Sequence, residues 1–456
     1  MKFSISIVTA AILSTSLHGQ SAYDAIHLMD GEMGFGTRAL AMGGAYAGLA
    51  DDYTAIYWNP AGLGLVKERE IFTEFSHLNF TNEALFKERS TVDDQGYTRF
   101  RSAGAAFPFA TSRGSLVLAL GYNRIVNFDE NLAFSGFSSE TNDIGFDITD
   151  ENDITGYYLF DRDVFRSEQM STEGGLRQWT LGGAVALSPN FLMGITAAYT
   201  TGKEQYQLWF TQEDSDHLYE EFPGDFDSYE VSQVLRSDYA SLSLKLGGLM
   251  HFGWGLRIGA AMTLPSTFSV DEVHSNSDEL TFDDGYVDAA EESGRWDYRV
   301  KTPFRFDGGL SYRLVFLTFA ASVRYRDWSQ TRFLVSRRRL EDADYREFLE
   351  ENELIRQTYR PTLEYRLGGE IALQKLHTKL RGGYSLIPSP VSDATGDEDR
   401  QFFSGGLSFA LDRYVNLDLT LLHGSWERQS RDSFTPAGTV EEITFQKLLV
   451  GISFQF

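Results

Sequence analysis

The chain has 456 residues, a formal net charge of −25 and no cysteine. The missing thiols exclude a disulfide scaffold, a thiol nucleophile, a Cys-ligated metal and a lipidated N-terminal cysteine. The acidic excess excludes nucleic acid as a partner, because phosphates need Lys and Arg, and no apolar run after the first residues reaches helix-spanning length.

The first element is a secretory signal peptide over residues 1–19. Lys2 gives the positive start, residues 5–13 the apolar core and small residues the exit, with cleavage after Gly19 or after Ala22. Residues 20–68 then form a separate Gly- and Ala-rich segment containing Gly34, Gly36, Gly43, Gly44, Gly48, Gly62 and Gly64. Neither the dinucleotide fingerprint nor the Walker pattern is present. Small residues instead let backbone pack closely in a confined space. Asn59 followed by Pro60 favours a turn and ends any helix before it.

From residue 69 to 456 the chain alternates with period two. Leu242, Leu244 and Leu246 oppose Ser241, Ser243 and Lys245; Leu417, Leu419 and Leu421 oppose Asn416, Asp418 and Thr420. Strands are expected near 70–80, 99–110, 115–127, 176–187, 191–210, 231–250, 255–270, 297–313, 315–330, 356–374, 377–387, 400–411, 413–428 and 441–456. That is about 14, an even number, as single-chain bacterial barrels have. Tight connections, as at 111–114 and 188–190, alternate with long ones at 128–175, 211–230, 271–296 and 331–355. A soluble sandwich also alternates, with its apolar face inward. The signal peptide, the long strands and the short–long rhythm favour an all-β transmembrane antiparallel barrel in the bacterial outer membrane. Trp179, Trp209, Trp296, Trp328 and Trp426 all map to its external rim.

The long connection at 128–175 carries Phe134, Phe137, Phe160 and Phe165, which form either a capture groove or the loop's own small core. A short helix is expected at 337–354. Asp147, Asp150, Glu151 and Asp153 lack the Gly and the final Glu of an EF-hand, so no metal site is assigned, and loose binding of a divalent cation such as calcium stays open. Eight acids (Glu213, Asp214, Asp216, Glu220, Glu221, Asp225, Asp227 and Glu230) occur without a Lys or Arg among them, as in a solvated loop. The scattered histidines make no HExxH and no GxSxG elbow exists, so no enzyme activity and no cofactor are expected. Glu364, Arg366, Glu370, Lys379 and Arg381 read as a luminal ion-pair network.

Residues 38–63, RALAMGGAYAGLADDYTAIYWNPAGL, resemble the N-terminal hatch of the FadL/TodX family of outer-membrane hydrophobic-compound transporters. TPFRFDGGLSYR from Thr302 and LRGGYSLIPSP from Leu380 resemble it more loosely. The resemblance implies a barrel whose lumen is closed by a hatch over residues 20–68, with Asn59, Pro60, Ala61 and Gly62 as its motif. It implies passive uptake of hydrophobic small molecules such as long-chain fatty acids. They are taken up by external loops and released sideways at an inward kink in the third strand. Gly121 and Asn123 are the kink candidates; a glycine making room for the hatch is the competing reading. Phe456, ending an amphipathic last strand, resembles the signal read by the barrel assembly machinery. Membrane lipids and lipopolysaccharide are the other implied partners. PorV-like barrels share the hatch style, so the alternative is a barrel that binds secreted proteins at the cell surface.

Overall fold

The computed structural model describes residues 21–112, 114–149, 154–335 and 342–456. The expected signal peptide lies outside the described residues, as do Asp150, Glu151 and Asp153 of the acidic run. Three short helices come first, α1 (Ala22–Asp30), α2 (Thr37–Ala41) and α3 (Ala55–Trp58), then a 3-10 turn at Pro60–Leu65. Next come β1 (Glu70–Phe86), β2 (Arg89–Phe109), β3 (Leu116–Asn127), β4 (Glu130–Ser138), β5 (Gly145–Thr149) and β6 (Thr155–Leu159). They are followed by β7 (Val164–Ser188), β8 (Phe191–Glu213), β9 (Phe226–His251), β10 (Leu256–Thr263) and β11 (Thr267–Phe282). Then β12 (Val287–Lys301), β13 (Arg305–Arg313), β14 (Leu317–Asp327) and β15 (Arg332–Phe333) precede α4 (Asp342–Thr358). The chain ends with β16 (Pro361–Leu373), β17 (Thr378–Ile387), β18 (Arg400–Ala410), β19 (Val415–Ser430) and β20 (Thr439–Gln455).

A closed 14-strand antiparallel barrel results. Around the wall the order is β1, β2, β3, β7, β8, β9, β10, β13, β14, β16, β17, β18, β19 and β20, and β20 pairs back onto β1. Closure leaves the wall no terminal edge to template aggregation. At the seal, Arg69 and Phe456 exchange backbone hydrogen bonds at 3.2 and 3.0 Å.

Burial is inverted relative to a soluble protein, which decides between sandwich and barrel. Leu242 is 66% exposed and Leu181 63%, whereas Arg324 is buried, as are Asp307, Glu370 and Arg381. A sandwich would bury the leucines; a bilayer solvates them and leaves the charges to pair inside.

The strand ends depart from expectation. The segment between residues 80 and 99 is a hairpin turning at Lys87 and Glu88, and 271–296 is mostly β11 and β12. The segment 128–175 contains β4, β5, β6 and the start of β7. Above the bilayer both faces of a strand are wet, so ladder pairing continues with no apolar face to mark it. The strand expected over 255–270 breaks into β10 and β11 around Pro265, and that over 297–313 into β12 and β13 around Pro303. Proline cannot donate to a ladder. The strand expected from 356 begins at Pro361, because α4 runs on to Thr358. Trp179 and Trp209 are exposed, but Trp328 is buried and donates Nε1–H to Thr362 Oγ1 at 2.9 Å. That indole has a polar partner inside, so it leaves the expected outward belt.

Candidate functional site

Residues 21–66 lie within the barrel, against the inward faces of its strands. Ser21 caps α1, accepting from Asp24 N–H while its own N–H donates to the Asp24 carboxylate. At the other end of the segment Asn59 is completely buried. Its Nδ2 donates to the carbonyls of Ala47 (2.8 Å) and Gly248 (3.1 Å), and its Oδ1 accepts from Ala61 N–H at 3.2 Å. Pro60 opens the 3-10 turn, where its missing N–H costs nothing. The wall makes room by omitting side chains. A Cβ on Gly194 would strike Pro60 and one on Gly247 would strike Asn59; inside the segment, one on Gly62 would strike the Ala50 carbonyl.

Charge fixes the segment in register. Asp51 pairs with Arg38 (2.6 Å), Arg257 (2.9 Å) and Arg313 (2.8 Å), and Arg38 in turn with Glu370 (3.0 Å). Burial pushes the Asp51 carboxyl up, but the three guanidinium groups outweigh it and hold it well below the usual carboxylate range. Glu32 pairs with Arg305 and, at 2.7 Å, with Arg326, and accepts the Tyr57 hydroxyl at 2.6 Å. Its carboxyl too is held low against burial. The guanidinium carbons of Arg324 and Arg366 stand 5.9 and 5.4 Å from the Trp58 ring. Arg366 also pairs with Glu364, and Arg381 with Glu370 at 2.8 Å and Asp418 at 2.5 Å. Lys379, expected in this network, has an exposed surface but stands in the field of Glu370, Arg381, Arg38 and Asp51.

A luminal cavity of about 60 Å³ remains between the segment and the wall. Met29, Ile125, Leu264 and Phe268 give it apolar lining; its charged lining is Lys245, Arg305 and Arg326 together with Glu32, which pairs with both arginines. None of these lining residues carries a site signal in the sequence.

The kink candidates are placed differently from expectation. The ladder of β3 runs in register through Gly121 and Asn123; the irregularity falls between Arg124 and Val126, leaving Ile125 unpaired. Gly121 has another task, since a Cβ there would overlap the Tyr53 hydroxyl. The four loop phenylalanines are not brought together in one groove. Phe134 packs on Phe86, ring centroids 4.9 Å apart, and Phe160 stacks on Phe226 at 4.6 Å in a separate small core. Phe137 is 43% exposed and stands opposite Phe165 in the pairing of β4 with β7. Phe456 is exposed beside Phe454, with the Arg69 guanidinium 6.0 Å from its ring.

Comparison with known proteins agrees with this architecture. No curated protein sequence matches the chain. Among solved structures, it is similar to the Pseudomonas putida toluene transporter TodX, with TM-score 0.57 and 13% identity over 93% of this chain and 99% of that one. It is similar to the Ralstonia pickettii toluene transporter TbuX, with TM-score 0.54 and 14% identity over 93% and 98%. It is also similar to a Pseudomonas aeruginosa FadL homologue, with TM-score 0.55 and 13% identity over 99% and 100%. At such identities these likenesses show the fold. The family model described as outer membrane protein transport protein (OMPP1/FadL/TodX) matches residues 31–431. The chain is therefore an outer-membrane β-barrel and belongs to the OMPP1/FadL/TodX family of transport proteins.

Proposed function

We propose that this barrel carries hydrophobic molecules such as long-chain fatty acids passively across the outer membrane, with residues 20–68 as its hatch. The luminal cavity carries the reading. Its apolar lining suits an alkyl chain, and a carboxylate head would compete with Glu32 and Asp307 for Arg305, Arg326 and Lys245. At about 60 Å³ it is smaller than the ~150 Å³ that holds a benzene. Passage therefore requires the hatch to shift, and the motif Asn59, Pro60, Ala61 and Gly62 is the tie that limits how far. Movement down a gradient needs neither cofactor nor catalytic group. Release is sideways, at the irregular stretch of β3 near Ile125, into lipid. Phe456 ends the strand offered to the assembly machinery, and membrane lipids and lipopolysaccharide surround the exposed leucines.

A second reading is a PorV-like surface that holds a secreted protein. Leu218 (59% exposed) and Phe222 (50% exposed) stand among Asp216, Glu220 and Glu221, which would suit a basic segment with apolar anchors. Solvent extraction and mass spectrometry of the purified protein separate the two. A stoichiometric fatty acid, hydrocarbon or detergent supports transport; an empty barrel holding a defined protein supports the second reading.

A further inference from the structure

Strand pairing sets the outward side chains of β7, β8, β9, β11 and β12 in rows across the wall. Trp179, Tyr199 and Leu242 stand abreast and exposed. One row further out come Arg177, Thr201, Ala240, Ser269 and Arg299. Beyond them lie Gly175, Lys203, Asp238, Asp271 and Asp297, then Glu173, Gln205, Arg236, Val273 and Arg295. Successive rows are two residues apart, about 7 Å along a strand. The outward face therefore turns from aromatic and aliphatic to charged within one row, as it does where hydrocarbon gives way to lipid head groups.

At that boundary the wall is hollowed. The small side chains of Thr201, Ala240 and Ser269 separate Arg177 from Arg299, four strand spacings or about 19 Å away. A groove of about 850 Å³ lies there, with Arg177, Lys203, Asp271, Arg295 and Arg299 in its lining. Lys203 pairs with Asp238 at 2.8 Å, and Arg295 donates Nε–H to Asp271 at 2.8 Å. Arg177, Arg236 and Arg299 are exposed and form no ion pair among the described residues. These cations are local to one side of a chain whose net charge is −25. On β1, β20 and β19 the outward positions carry Glu83, Glu442 and Glu427 abreast, with no outward Lys or Arg among the described residues of those strands.

We propose that this outward groove on β7 to β12 seats one phosphorylated, acylated glycolipid of the outer leaflet, a lipopolysaccharide molecule. Arg177 and Arg299 offer guanidinium forks to its phosphates, and the seat between them is wide enough for a head group that carries more than one. The exposed carboxylates of Asp238, Asp271 and Asp297 accept hydrogen bonds from its sugar hydroxyls. Trp179, Tyr199 and Leu242 lie one row below, where its acyl chains begin. Basic clusters at this depth attract anionic head groups, whereas the acidic rows of the opposite wall repel them. The site lies outside the lumen and stands independently of what the barrel transports.

Native mass spectrometry of the detergent-solubilised protein, titrated with diphosphoryl lipid A, monophosphoryl lipid A or phosphatidylglycerol, tests this. Heat-modifiable migration on gels verifies folding of every variant. The parent is expected to hold one diphosphoryl lipid A more tightly than either of the other lipids. The double variant R177Q/R299Q is expected to bind it about tenfold or more weakly, the size that two interfacial charges support. The control K375Q/R413Q removes the same charge at exposed positions of the short-turn end and is expected to bind like the parent. Undiminished binding by folded R177Q/R299Q, or an equal loss in the control, overturns the site. Phosphatidylglycerol held by the parent as tightly as diphosphoryl lipid A overturns the glycolipid as its occupant.

Discussion

Tyr53 of the N-terminal segment donates its hydroxyl to Asn123 Oδ1 of β3 at 2.9 Å, over a floor cleared by Gly121. Asn123 is also held by Ser102 at 2.7 Å and Thr180 at 3.1 Å. Tyr53→Phe therefore removes one bond of three and costs about 0.5–1.5 kcal/mol of docking. Gly121→Ala overpacks the same spot and costs about 1–3 kcal/mol. The double variant should cost less than the sum, because deleting the hydroxyl removes the severest overlap a methyl at Gly121 would meet. Denaturant titration of Trp58 fluorescence measures this, with the other tryptophans replaced by Phe; strict additivity would show that Gly121 does not make room for Tyr53.

The tie at Asn59 is expected to act on the hatch and not on the wall. Asn59→Ala leaves the carbonyls of Ala47 and Gly248 and the N–H of Ala61 without this partner. The cost is about 2–4 kcal/mol of hatch docking. Protease cleavage within residues 20–68 should accelerate while the barrel still migrates as a folded species. Removing Asn59, Pro60 and Ala61 together should alter uptake without preventing assembly; unchanged uptake in a well-folded deletion contradicts the motif's role.

Asp51 gathers Arg38, Arg257 and Arg313 around one carboxylate. Asp51→Asn leaves three cations facing a neutral group, so the segment should loosen near the short-turn end. Ion conductance in planar bilayers is the readout. The parent is expected to be nearly closed and the variant to show frequent openings; identical traces would mean that Asp51 does not hold the segment.

The His27 imidazole stacks on Phe128 at 5.0 Å and lies 3.1 Å from Glu204 of β8, with Asp24 and Glu130 adding to its field. Burial pushes its pKa down, but the charge and hydrogen bond of Glu204 outweigh this and lift it to about 9. A group raised in the folded state stabilises fully below its unfolded value of ~6.5 and loses that contribution as pH rises through the folded value. Docking of α1 should therefore be tight at pH 6 and weaken between about pH 6.5 and 9. A single spin label at the exposed Tyr23 should gain mobility across that window, and His27→Gln should flatten the profile. A profile that is flat in the parent protein contradicts the assignment.

Much of the architecture was legible because lipid imposes a simple rule on the chain. Leu242, Leu244 and Leu246 declare their face by alternation, and the terminal run to Phe456 declares the closing strand. The small residues around Asn59 and Pro60 likewise mark a segment confined by its surroundings. The ion pairs were illegible for the opposite reason. Glu32 meets Arg305 and Arg326 across 273 and 294 positions, and Arg99 meets Asp129 across 30. Pairs so distant leave no local period. Gly121 by type suits either a kink or a clearance for the N-terminal segment; its ladder is regular and Tyr53 stands over it, while the bulge sits at Ile125, a residue that signals nothing by type. Pro265 and Pro303 did carry a usable signal, since each divides into two strands a stretch where continuous alternation suggested one.

The central claim is movement of apolar molecules through this barrel, and radiolabelled oleate uptake tests it most directly. The assay compares cells producing the protein with cells producing the deletion of Asn59, Pro60 and Ala61 and with cells lacking the barrel, at matched outer-membrane levels. The account predicts saturable oleate uptake above the barrel-free level, no gain for a sugar of similar mass, and a changed oleate rate in the deletion. Oleate uptake equal to the barrel-free level, in cells whose barrel is folded in the outer membrane, would contradict it.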